Sequence, residues 1–385
     1  MSDAATQLIE SARSLAPLLA GQASESESLR RPTDEAIRAL REAGIFDLLV
    51  PRCYGGMGLD LDTFLEVGLA LGEGDASLAW VANFYIEHNW ILCQFPKEFQ
   101  EKLYANSSHI LAPAMVAPTG RATPCEGGFR VNGRWNWATG AMHGSWVLVA
   151  SLAGAEGEID PRFLALPVEE VTIDDVWFMD GMCGTGSNDV VIDDVFVPAA
   201  QTLSLIDLAG GTAPGSKVHS APLYHTPMIP ILTLAATMPA LGQAKAVLRG
   251  YRERIVSRTQ YLGARTHSEK DSAQIRLGEF DLVLTEAELL LRDVIREVME
   301  LRDSAPIETR ARWMAAFARV VHQSRDVVQA VALASGGSAH KQGDPLQRAT
   351  RDLNVLSTHV VFTLDDALMN YGRAQLGVEI QNALL

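Results

Sequence analysis

Four long stretches of helical residues close the sequence, and they restrict the possible folds more than any other feature. After Pro230, apolar and polar residues alternate with helical spacing over segments near 231–260, 270–302, 307–335 and 345–372. Short connections join these segments. Long helices with short joins are typical of an antiparallel bundle, in which each helix buries one apolar face against its neighbours. We therefore predict a C-terminal helical bundle.

Two further regions precede the bundle, and they differ from each other in their residue patterns. Residues 4 to about 112 carry helical patterns, with a clear start at Pro32-Thr-Asp-Glu35 and a stop at Gly44. From about residue 113, runs of β-type residues alternate with glycine turns, which predicts a small antiparallel barrel or sandwich. Asn132-Gly133 is the strongest hairpin signal. The predicted strands are 129–137, 146–152, 163–168, 171–178 and 190–197.

The predicted fold is therefore mainly α with a central β-domain. We place an N-terminal helical domain at residues 1–112, the β-domain at 113–210 and the C-terminal bundle at 211–385. Residues 208–220 are rich in Gly, Pro and Ala and are predicted to form a loop. The sequence shows no strand–helix alternation of the Rossmann type and no GxGxxG motif, which excludes a dinucleotide-binding α/β fold.

Composition and charge exclude several classes of partner. The formal net charge is −15 and Lys and Arg form no run, so neither a nucleic acid nor an anionic membrane is expected. The most apolar segment, 228–248, contains two prolines, Gln243 and Lys245, which indicates a core helix. The first ten residues lack the pattern of a signal peptide. The four cysteines show no metal-ligand spacing, so we expect reduced thiols, no metal and a cytoplasmic protein.

Three motifs, in this order, resemble those of the acyl-CoA dehydrogenase superfamily. They are residues 50–59 (VPRCYGGMGL), 128–140 (GFRVNGRWNWATG) and 181–198 (GMCGTGSNDVVIDDVFVP). Gly336-Gly337 and Arg351-Asp352 add to the resemblance, which covers nearly the whole chain. It implies the acyl-CoA dehydrogenase-like fold, with an N-terminal helical domain, a small β-domain and a C-terminal four-helix bundle.

Val360 stands where many acyl-CoA dehydrogenases carry the glutamate that removes the substrate α-proton. A valine side chain has no lone pair and cannot act as a base. Some members of the superfamily carry the glutamate on an earlier bundle helix, near Gly242 here, but residues 241–245 (LGQAK) offer no carboxylate. The resemblance therefore favours a flavin-dehydrogenase scaffold without its base. An FAD oxidoreductase with a relocated base is the alternative.

A closer resemblance is to the oxygenase components of two-component flavin monooxygenases, including the hydroxylases of p-hydroxyphenylacetate and of a phenolic secosteroid. It rests on residues 77–80 (SLAW), 87–90 (EHNW), 135–137 (WNW) and 184–188 (GTGSN). Such enzymes take reduced FMN or FAD from a separate NAD(P)H:flavin reductase, bind O2 at flavin C4a as a hydroperoxide, and hydroxylate an aromatic or polycyclic small molecule. The resemblance implies this activity in a homotetramer. An N-hydroxylating monooxygenase and a non-catalytic protein with a degenerate site are alternatives.

The resemblance implies catalytic roles for His88, His359 and Thr139. His88 would lie near the phenolic group of the substrate, where a neutral imidazole can take a proton. His359 would lie beside the flavin ring, where a hydrogen-bond donor stabilises a developing peroxide anion. Thr139 would contact flavin N5 and O4. The alternative for each is structural: a bonded core histidine, a residue covering the bundle end, and a threonine satisfying its own turn.

Further flavin contacts follow from the resemblance. Trp137 is expected to pack against the ring, and Arg258 to reach the flavin phosphate with its planar guanidinium. Gly336 and Gly337 would let the backbone approach the flavin tail, with a helix C-cap as the alternative. Backbone amides of residues 184–187 could bind phosphate, although a glycine turn is favoured from the residues alone. The full predicted set is Trp80, Trp137, Ala138, Thr139, Ser187, Arg258, Gly336, Gly337 and His359.

The predicted substrate pocket contains Trp80, His88, Ala114, Met115 and Tyr224. Phenol hydroxylases of this group carry a serine near the position of Ala114, and that serine touches the substrate hydroxyl. An alanine side chain can neither donate nor accept a hydrogen bond. This departure leaves room for an indole, polycyclic or amine substrate, or for a hydroxyl held by His88 and a water molecule.

Overall fold

Five helices precede the strands in the computed structural model, which describes residues 2–154, 160–257 and 267–380. Side-chain caps fix where they start. The Thr33 hydroxyl accepts a hydrogen bond from the Ala36 amide at the start of the second helix, and Asp75 accepts one from the Leu78 amide at the start of the fourth. The helices are α1 (Asp3–Leu29), α2 (Asp34–Glu42), α3 (Leu61–Gly72), α4 (Ala76–Leu92) and α5 (Lys97–Leu103).

Seven strands follow and form one sheet in the order β5-β6-β2-β1-β3-β4-β7. They are β1 (Ala114–Cys125), β2 (Gly128–Ala138), β3 (Trp146–Leu152), β4 (Pro161–Pro167), β5 (Thr172–Asp174), β6 (Asn188–Pro198) and β7 (Thr202–Ser204). The predicted central β-domain is confirmed. The expectation of a purely antiparallel sheet is wrong for one pair, because β1 and β3 run parallel. The predicted strand 171–178 is shorter than expected, since only its first part pairs with β6.

The sequence predicted a hairpin turn at Asn132-Gly133, but the turn between β1 and β2 lies elsewhere. The two strands pair as far as Cys125 opposite Gly128, so the chain reverses between those residues. Asn132 and Gly133 lie inside β2, at an irregularity in its pairing with β6. A Cβ on Gly133 would come within 2.7 Å of the Gly120 backbone in β1. Glycine is required there for the close approach of two strands and not for a turn.

The C-terminal region contains two short helices followed by the predicted bundle. The two short helices are α6 (Leu205–Gly210) and α7 (Pro214–Val218). The helices that follow are α8 (Met228–Ser257), α9 (Asp271–Leu301), α10 (Ile307–Ser335), α11 (Pro345–Leu356) and α12 (Leu364–Gln375). The prediction of one long fourth bundle helix is wrong, because a 3-10 turn at Val360–Phe362 separates α11 from α12. Side chains compete with the helix here. Thr358 Oγ1 donates to the Val355 carbonyl, and His359 Nδ1 accepts from the Val361 amide.

Helices from both ends of the chain share one hydrophobic core. α3 and α4 pack against α8, and α8 packs against α10. A smaller apolar core, which includes Trp135 and Val190, belongs to the sheet. α8 is long and apolar enough to cross a membrane, but 83% of its most apolar window is buried inside the protein, which is the property of a core helix. The domain limits 1–112, 113–210 and 211–385 stay a prediction.

Candidate active site

A row of aromatic side chains runs along one face of α4. The ring centroids of Trp80 and Phe84 are 4.8 Å apart and those of Phe84 and His88 are 5.4 Å apart, as expected for residues spaced by four along a helix. Trp80 and Phe84 keep 6% and 7% of their surface exposed, whereas most of the helix is completely buried. This face meets Thr139, directly after β2, and the turn at His359, and we call the region where these three elements meet the cleft.

A chain of hydrogen bonds runs from Trp80 to the turn before β6. Trp80 Nε1–H donates to Thr139 Oγ1 at 3.2 Å, and the Thr139 hydroxyl lies 3.0 Å from that of Ser187. The Ser187 hydroxyl lies 2.7 Å from that of Thr185, which donates to the Met182 carbonyl at 2.8 Å. We call Trp80, Thr139, Ser187 and Thr185 the hydroxyl chain. Its two ends are fixed, because an indole N–H only donates and a carbonyl only accepts.

The direction of every bond in the hydroxyl chain follows from these two ends. Each hydroxyl has one proton. Thr185 gives its proton to the carbonyl, so Ser187 must donate to Thr185, and Thr139 must donate to Ser187. Thr139 Oγ1 also accepts the indole N–H of Trp80. Its remaining lone pair is all that it can offer a ligand, so the Thr139 hydroxyl is an acceptor and not a donor at the cleft.

The end of β2 is held between α4 and the turn Cys183–Thr185. The Gly140 amide donates to the Thr185 carbonyl at 2.9 Å, and the Tyr85 hydroxyl donates to the Gly140 carbonyl at 2.5 Å. Ala138, in the last position of β2, is completely buried. Trp137 has a positive φ of 68° and yet its side chain is 65% exposed. A strained backbone that holds a large aromatic side chain in solvent is a feature of ligand sites.

His359 lies beside Trp80 at the cleft, with ring centroids 5.5 Å apart in an edge-to-face arrangement. Its Nδ1 accepts from the Val361 amide, so the neutral ring carries its proton on Nε2. Burial lowers the pKa of His359 to about 4, and the ring is uncharged at neutral pH. Val360 is 75% exposed, and residues 353–364 contain no carboxylate. This turn can therefore supply an N–H donor but no carboxylate base.

His88 is buried, and one of its two ring nitrogens is anchored. Nδ1–H donates to the Ala112 carbonyl at 2.7 Å, so Nε2 carries the lone pair. Burial lowers the pKa of His88 to about 4, with the bond to Ala112 acting in the opposite direction. A neutral imidazole with a lone pair on Nε2 can accept a proton from a ligand. Ala114 and Met115 follow two and three residues after Ala112, at the start of β1.

Several other predicted site residues make no hydrogen bond or ring contact with the cleft among the described residues. Tyr224 is buried and its hydroxyl donates to a backbone carbonyl of the core; among the described residues no hydrogen bond or ring contact joins it to His88. Gly336 caps the end of α10 with a φ of +71°, and a Cβ on Gly336 or Gly337 would meet open space. Arg258 lies outside the described residues. Within the described ranges no three His, Cys, Asp or Glu side chains are grouped to hold a metal ion.

Two residues of this region were not identified from the sequence. Thr185 lies in residues 184–187, which suggested a glycine turn or a phosphate loop. The turn instead packs on α1 and α4, since a Cβ on Gly184 would lie 3.2 Å from the side chain of Ser77. Glu87 is completely buried, and neither of its carboxyl oxygens has a hydrogen-bond partner among the described residues. The signal for Glu87 was present in the sequence, because it is the only acidic residue in α4.

Comparison with known proteins agrees with this architecture. The family described as "Acyl-CoA dehydrogenase, C-terminal domain" matches residues 234–364. A pigment production hydroxylase from Rhodococcus sp. is 32% identical, over 99% of this chain and 99% of its own length. The oxygenase component of an FADH2-dependent resorcinol hydroxylase from Rhizobium sp. is 30% identical, over 97% of this chain and 95% of its own.

Among solved structures, the crystal structure of 3-HSA hydroxylase from Rhodococcus sp. RHA1 superimposes with a TM-score of 0.94. It is 30% identical and covers 98% of this chain and 99% of its own. The likeness extends over nearly the whole chain, and each of these relatives is named as a hydroxylase. The chain therefore belongs to the acyl-CoA dehydrogenase superfamily and, within it, to the oxygenase components of flavin-dependent monooxygenases.

Proposed function

We propose that this chain binds reduced flavin in the cleft and uses dioxygen to hydroxylate an aromatic or polycyclic small molecule beside α4. The observation that carries the proposal is the fixed direction of the hydroxyl chain, which leaves Thr139 as an acceptor at the cleft. Reduced flavin has ring N–H groups that oxidised flavin lacks. An acceptor-only hydroxyl therefore suits the reduced form of the cofactor.

The side chains around the cleft fit a flat heteroaromatic group. The exposed indole of Trp137 offers an aromatic surface on which a planar ring can stack. The end of α10 leaves its glycine backbone open for the rest of the cofactor. Reduced flavin bound there would supply the electrons that activate dioxygen. The residues proposed to hold it, as FMN or FAD, are Trp80, Trp137, Ala138, Thr139, Ser187, Arg258, Gly336, Gly337 and His359.

The two histidines have opposite tasks in this proposal. His359 keeps a proton on Nε2 and offers it as a hydrogen bond to the oxygen on which negative charge develops. His88 takes a proton at Nε2 from the substrate hydroxyl, which leaves the electron pair on the substrate oxygen and enriches the aromatic ring in electrons. Phe84 lies between Trp80 and His88, and its apolar ring helps to exclude water from the pocket.

The pocket favours a substrate whose polar group meets His88. Ala114, half-buried at the start of β1, has no hydrogen-bonding side chain, and Met115 is buried and apolar. Trp80 and Phe84 provide an aromatic wall. We therefore propose an aromatic substrate with one hydroxyl or ring N–H directed at His88 and an otherwise apolar surface.

We also propose the partners and the assembly. A separate NAD(P)H-dependent reductase supplies the reduced flavin, in keeping with the term oxygenase component in the name of a relative. The chain forms a homotetramer, because α9 carries exposed apolar side chains at Ile275, Leu282 and Leu289, a seven-residue spacing suited to helix pairing between copies. A cytoplasmic location is supported by the four cysteines, all of which are free.

The geometry disfavours an acyl-CoA dehydrogenase with a relocated base. Gly242, near which that base would stand, faces the backbone of α3. A Cβ there would lie 2.5 Å from the Leu69 carbonyl oxygen, so a glutamate side chain does not fit. The turn at Val360 provides no carboxylate either. A proton acceptor for a thioester substrate is therefore missing at both positions.

The test mixes anaerobic protein and photoreduced flavin with oxygenated buffer and follows flavin absorbance. We expect the protein to slow flavin reoxidation and, with a panel of phenols and indoles, to form hydroxylated product. His88→Gln should keep reduced-flavin binding and lower the hydroxylation rate by about 100-fold or more, with hydrogen peroxide released instead. His219→Gln, at a buried histidine bonded to Gln100, is the control. Reoxidation at the same rate with and without the protein would contradict the proposal.

A further inference from the structure

Glu87 is a completely buried acid whose carboxyl has no hydrogen-bond partner in the described part of the chain. Both oxygens are unpaired among the described residues, although the side chain is fully enclosed in the middle of the protein. Buried polar groups are nearly always paired, because an unpaired group loses its hydration without compensation. An unpaired carboxyl directly beside the proposed catalytic His88 therefore requires an explanation in terms of function.

The carboxyl lies beside the proton-accepting atom of His88. Glu87 Oε2 is 3.3 Å from His88 Nε2. The other ring nitrogen, Nδ1, carries the ring proton and donates it to the Ala112 carbonyl at 2.7 Å. Since Nδ1 is occupied, any proton that His88 gains or loses at neutral pH moves at Nε2. The two atoms do not form a hydrogen bond in this arrangement, but at 3.3 Å the charge of the Glu87 carboxyl acts directly on a proton at Nε2.

Burial determines the charge of this pair. It raises the pKa of Glu87 well above the ordinary carboxyl value, and it is the only cause of that shift. It lowers the pKa of His88 to about 4. Both shifts favour the uncharged forms, a carboxylic acid beside a neutral imidazole. The pair then holds one exchangeable proton, on the carboxyl, in addition to the fixed proton on Nδ1.

Neighbouring elements add no charge that alters this conclusion. The part of α8 that crosses α4, from Met228 to Gly242, contains no ionisable side chain. Asp47 pairs with His109, and Glu66 pairs with Arg292, so their charges are compensated. Other ionisable groups on elements near α4 include Asp62, Tyr104, Cys183, His359 and, near its first turn, Glu27, Asp75, Arg348, Arg351 and Asp352; none of them is a cause of the pKa shift of Glu87 or of His88.

We propose that Glu87 is the positioning residue that controls the proton of His88: the charge of the carboxyl beside Nε2 decides whether that atom can hold a proton, and His88 accepts a substrate proton only once the carboxyl is ionised. The carboxyl first releases its proton to water. The substrate O–H bond then breaks and an Nε2–H bond forms, while the electron pair stays on the substrate oxygen. The carboxylate at 3.3 Å stabilises the imidazolium so formed. This inference rests on the proposed function, in which His88 is the base.

The pH dependence follows from the sign of these shifts. Below the raised pKa of Glu87 the carboxyl is neutral and gives the imidazolium no stabilisation, so His88 is a weak base. Above it, the carboxylate strengthens the base. The yield of hydroxylated product per oxygen consumed is therefore expected to rise with pH through one apparent pKa, well above that of an ordinary carboxyl, and this value belongs to the pair.

Glu87→Gln is the variant that tests the proposal, because glutamine has the same shape but cannot ionise. Infrared spectra of the wild type at neutral pH should show a carboxylic acid C=O band that disappears at higher pH and is absent from E87Q. Histidine ¹⁵N NMR should show the Nε2 signal of His88 shifting over the same pH range in the wild type only. With phenol as the probe, E87Q should lose the rising pH limb and about 10-fold of the product yield at alkaline pH.

Asn83→Leu is the matched control. Asn83 lies one turn before Glu87, is equally buried, and its Oδ1 also lacks a partner. N83L is expected to leave the carboxylic acid band and the pH profile unchanged. If N83L changes the carboxylic acid band but leaves the His88 signals unchanged, the band does not report on the carboxyl beside His88. That result would overturn the proposal.

Two further results would overturn it. One is the absence of a carboxylic acid band from the infrared spectrum of the wild type at neutral pH, a measurement that needs no variant. The other is an E87Q protein with the pH profile and His88 signals of the wild type. The spectroscopic measurements use neither flavin nor substrate, so they test the proton pair by itself. The proposed function fails separately, if His88→Gln keeps the full product yield.

Discussion

The position of a single hydroxyl proton determines what a ligand meets in the cleft. Thr139 offers only a lone pair because Thr185, whose hydroxyl is completely buried against Met182 and Ser187, gives its own proton to the Met182 carbonyl. Ser187 transmits this constraint between the two threonines. A change at Thr185 is therefore expected to alter ligand binding at Thr139 without removing any group that contacts the ligand.

Thr185→Val should convert the Thr139 hydroxyl from an acceptor into a donor. Without Thr185 Oγ1, Ser187 can turn its proton towards Thr139, and Thr139 can turn its own proton towards the cleft. Oxidised flavin, whose ring nitrogens accept hydrogen bonds, should then bind relatively better. We expect the ratio of its Kd to that of reduced flavin to fall by about 5-fold, since one matched hydrogen bond is worth about 1 kcal/mol.

Fluorescence titration for oxidised flavin and anaerobic titration for reduced flavin give the two constants. Thr202→Val is the matched control, because Thr202 also donates to the carbonyl three residues before it, but in β7 and away from the cleft. T202V should leave the ratio unchanged. A ratio in T185V equal to that of the wild type would show that the direction of the hydroxyl chain does not control binding.

Some residues of this candidate site could be proposed from the sequence, whereas the direction of its hydrogen bonds and the state of its buried acid could not. Resemblance implied His88, Thr139, Ser187 and His359 because their residue types stand at motif positions. Which way a hydroxyl points depends on every atom it meets, and Thr185 meets Ser187 only after the turn folds against β2. The state of the Glu87 carboxyl likewise depends on burial, which no single motif encodes.

At the level of elements, two of the errors of prediction come from local patterns that have a second use. Asn132-Gly133 has the residues of a hairpin turn, but the glycine serves the contact between β2 and β1. The helical pattern of residues 345–372 continues past Ser357, while the backbone bends at His359. For Gly133 the deciding contact comes from a neighbouring strand, and for the bend at His359 it comes from local side-chain bonds that the helical pattern does not reveal. The order of elements was therefore predictable and these details were not.

Gly242→Ala tests the helix crossing that fixes α4 and the cleft. A Cβ at this position would lie 2.5 Å from the Leu69 carbonyl oxygen and 2.8 Å from the Gly72 Cα of α3, so the two helices must move apart. Overpacking of this kind costs about 1–3 kcal/mol of the free energy of unfolding. Urea unfolding followed by circular dichroism measures the change.

Gly250→Ala on the same helix is the control. Its Cβ would meet open space, and alanine favours the helix by up to about 1 kcal/mol relative to glycine. We expect G250A to be as stable as the wild type or more so, while G242A is less stable. Equal destabilisation by both substitutions would mean that the α3–α8 contact is not the reason for glycine at position 242.

For the whole molecule, the outer face of α9 is the feature that most needs a partner. Ile275, Leu282 and Leu289 are exposed at a spacing of seven residues, and so lie along one line of the helix. A second line of acidic residues runs beside it, each four residues after one of the apolar residues, at Glu279, Glu286 and Asp293. An apolar line beside a charged one is typical of a helix that pairs with another helix at an interface, which agrees with the proposed homotetramer.

Leu282→Glu places a charge in the middle of the apolar line and should break this assembly. Burial of an unpaired carboxylate at an interface is costly, so the variant is expected to sediment as smaller species than the wild type at the same concentration. Its circular dichroism should be unchanged, because the side chain is exposed in the single chain. Glu286→Gln, one turn further along, removes a charge on the neighbouring line and is expected to keep the wild-type mass. If all three proteins sediment with one mass, α9 is not the interface, and the assembly must use another surface.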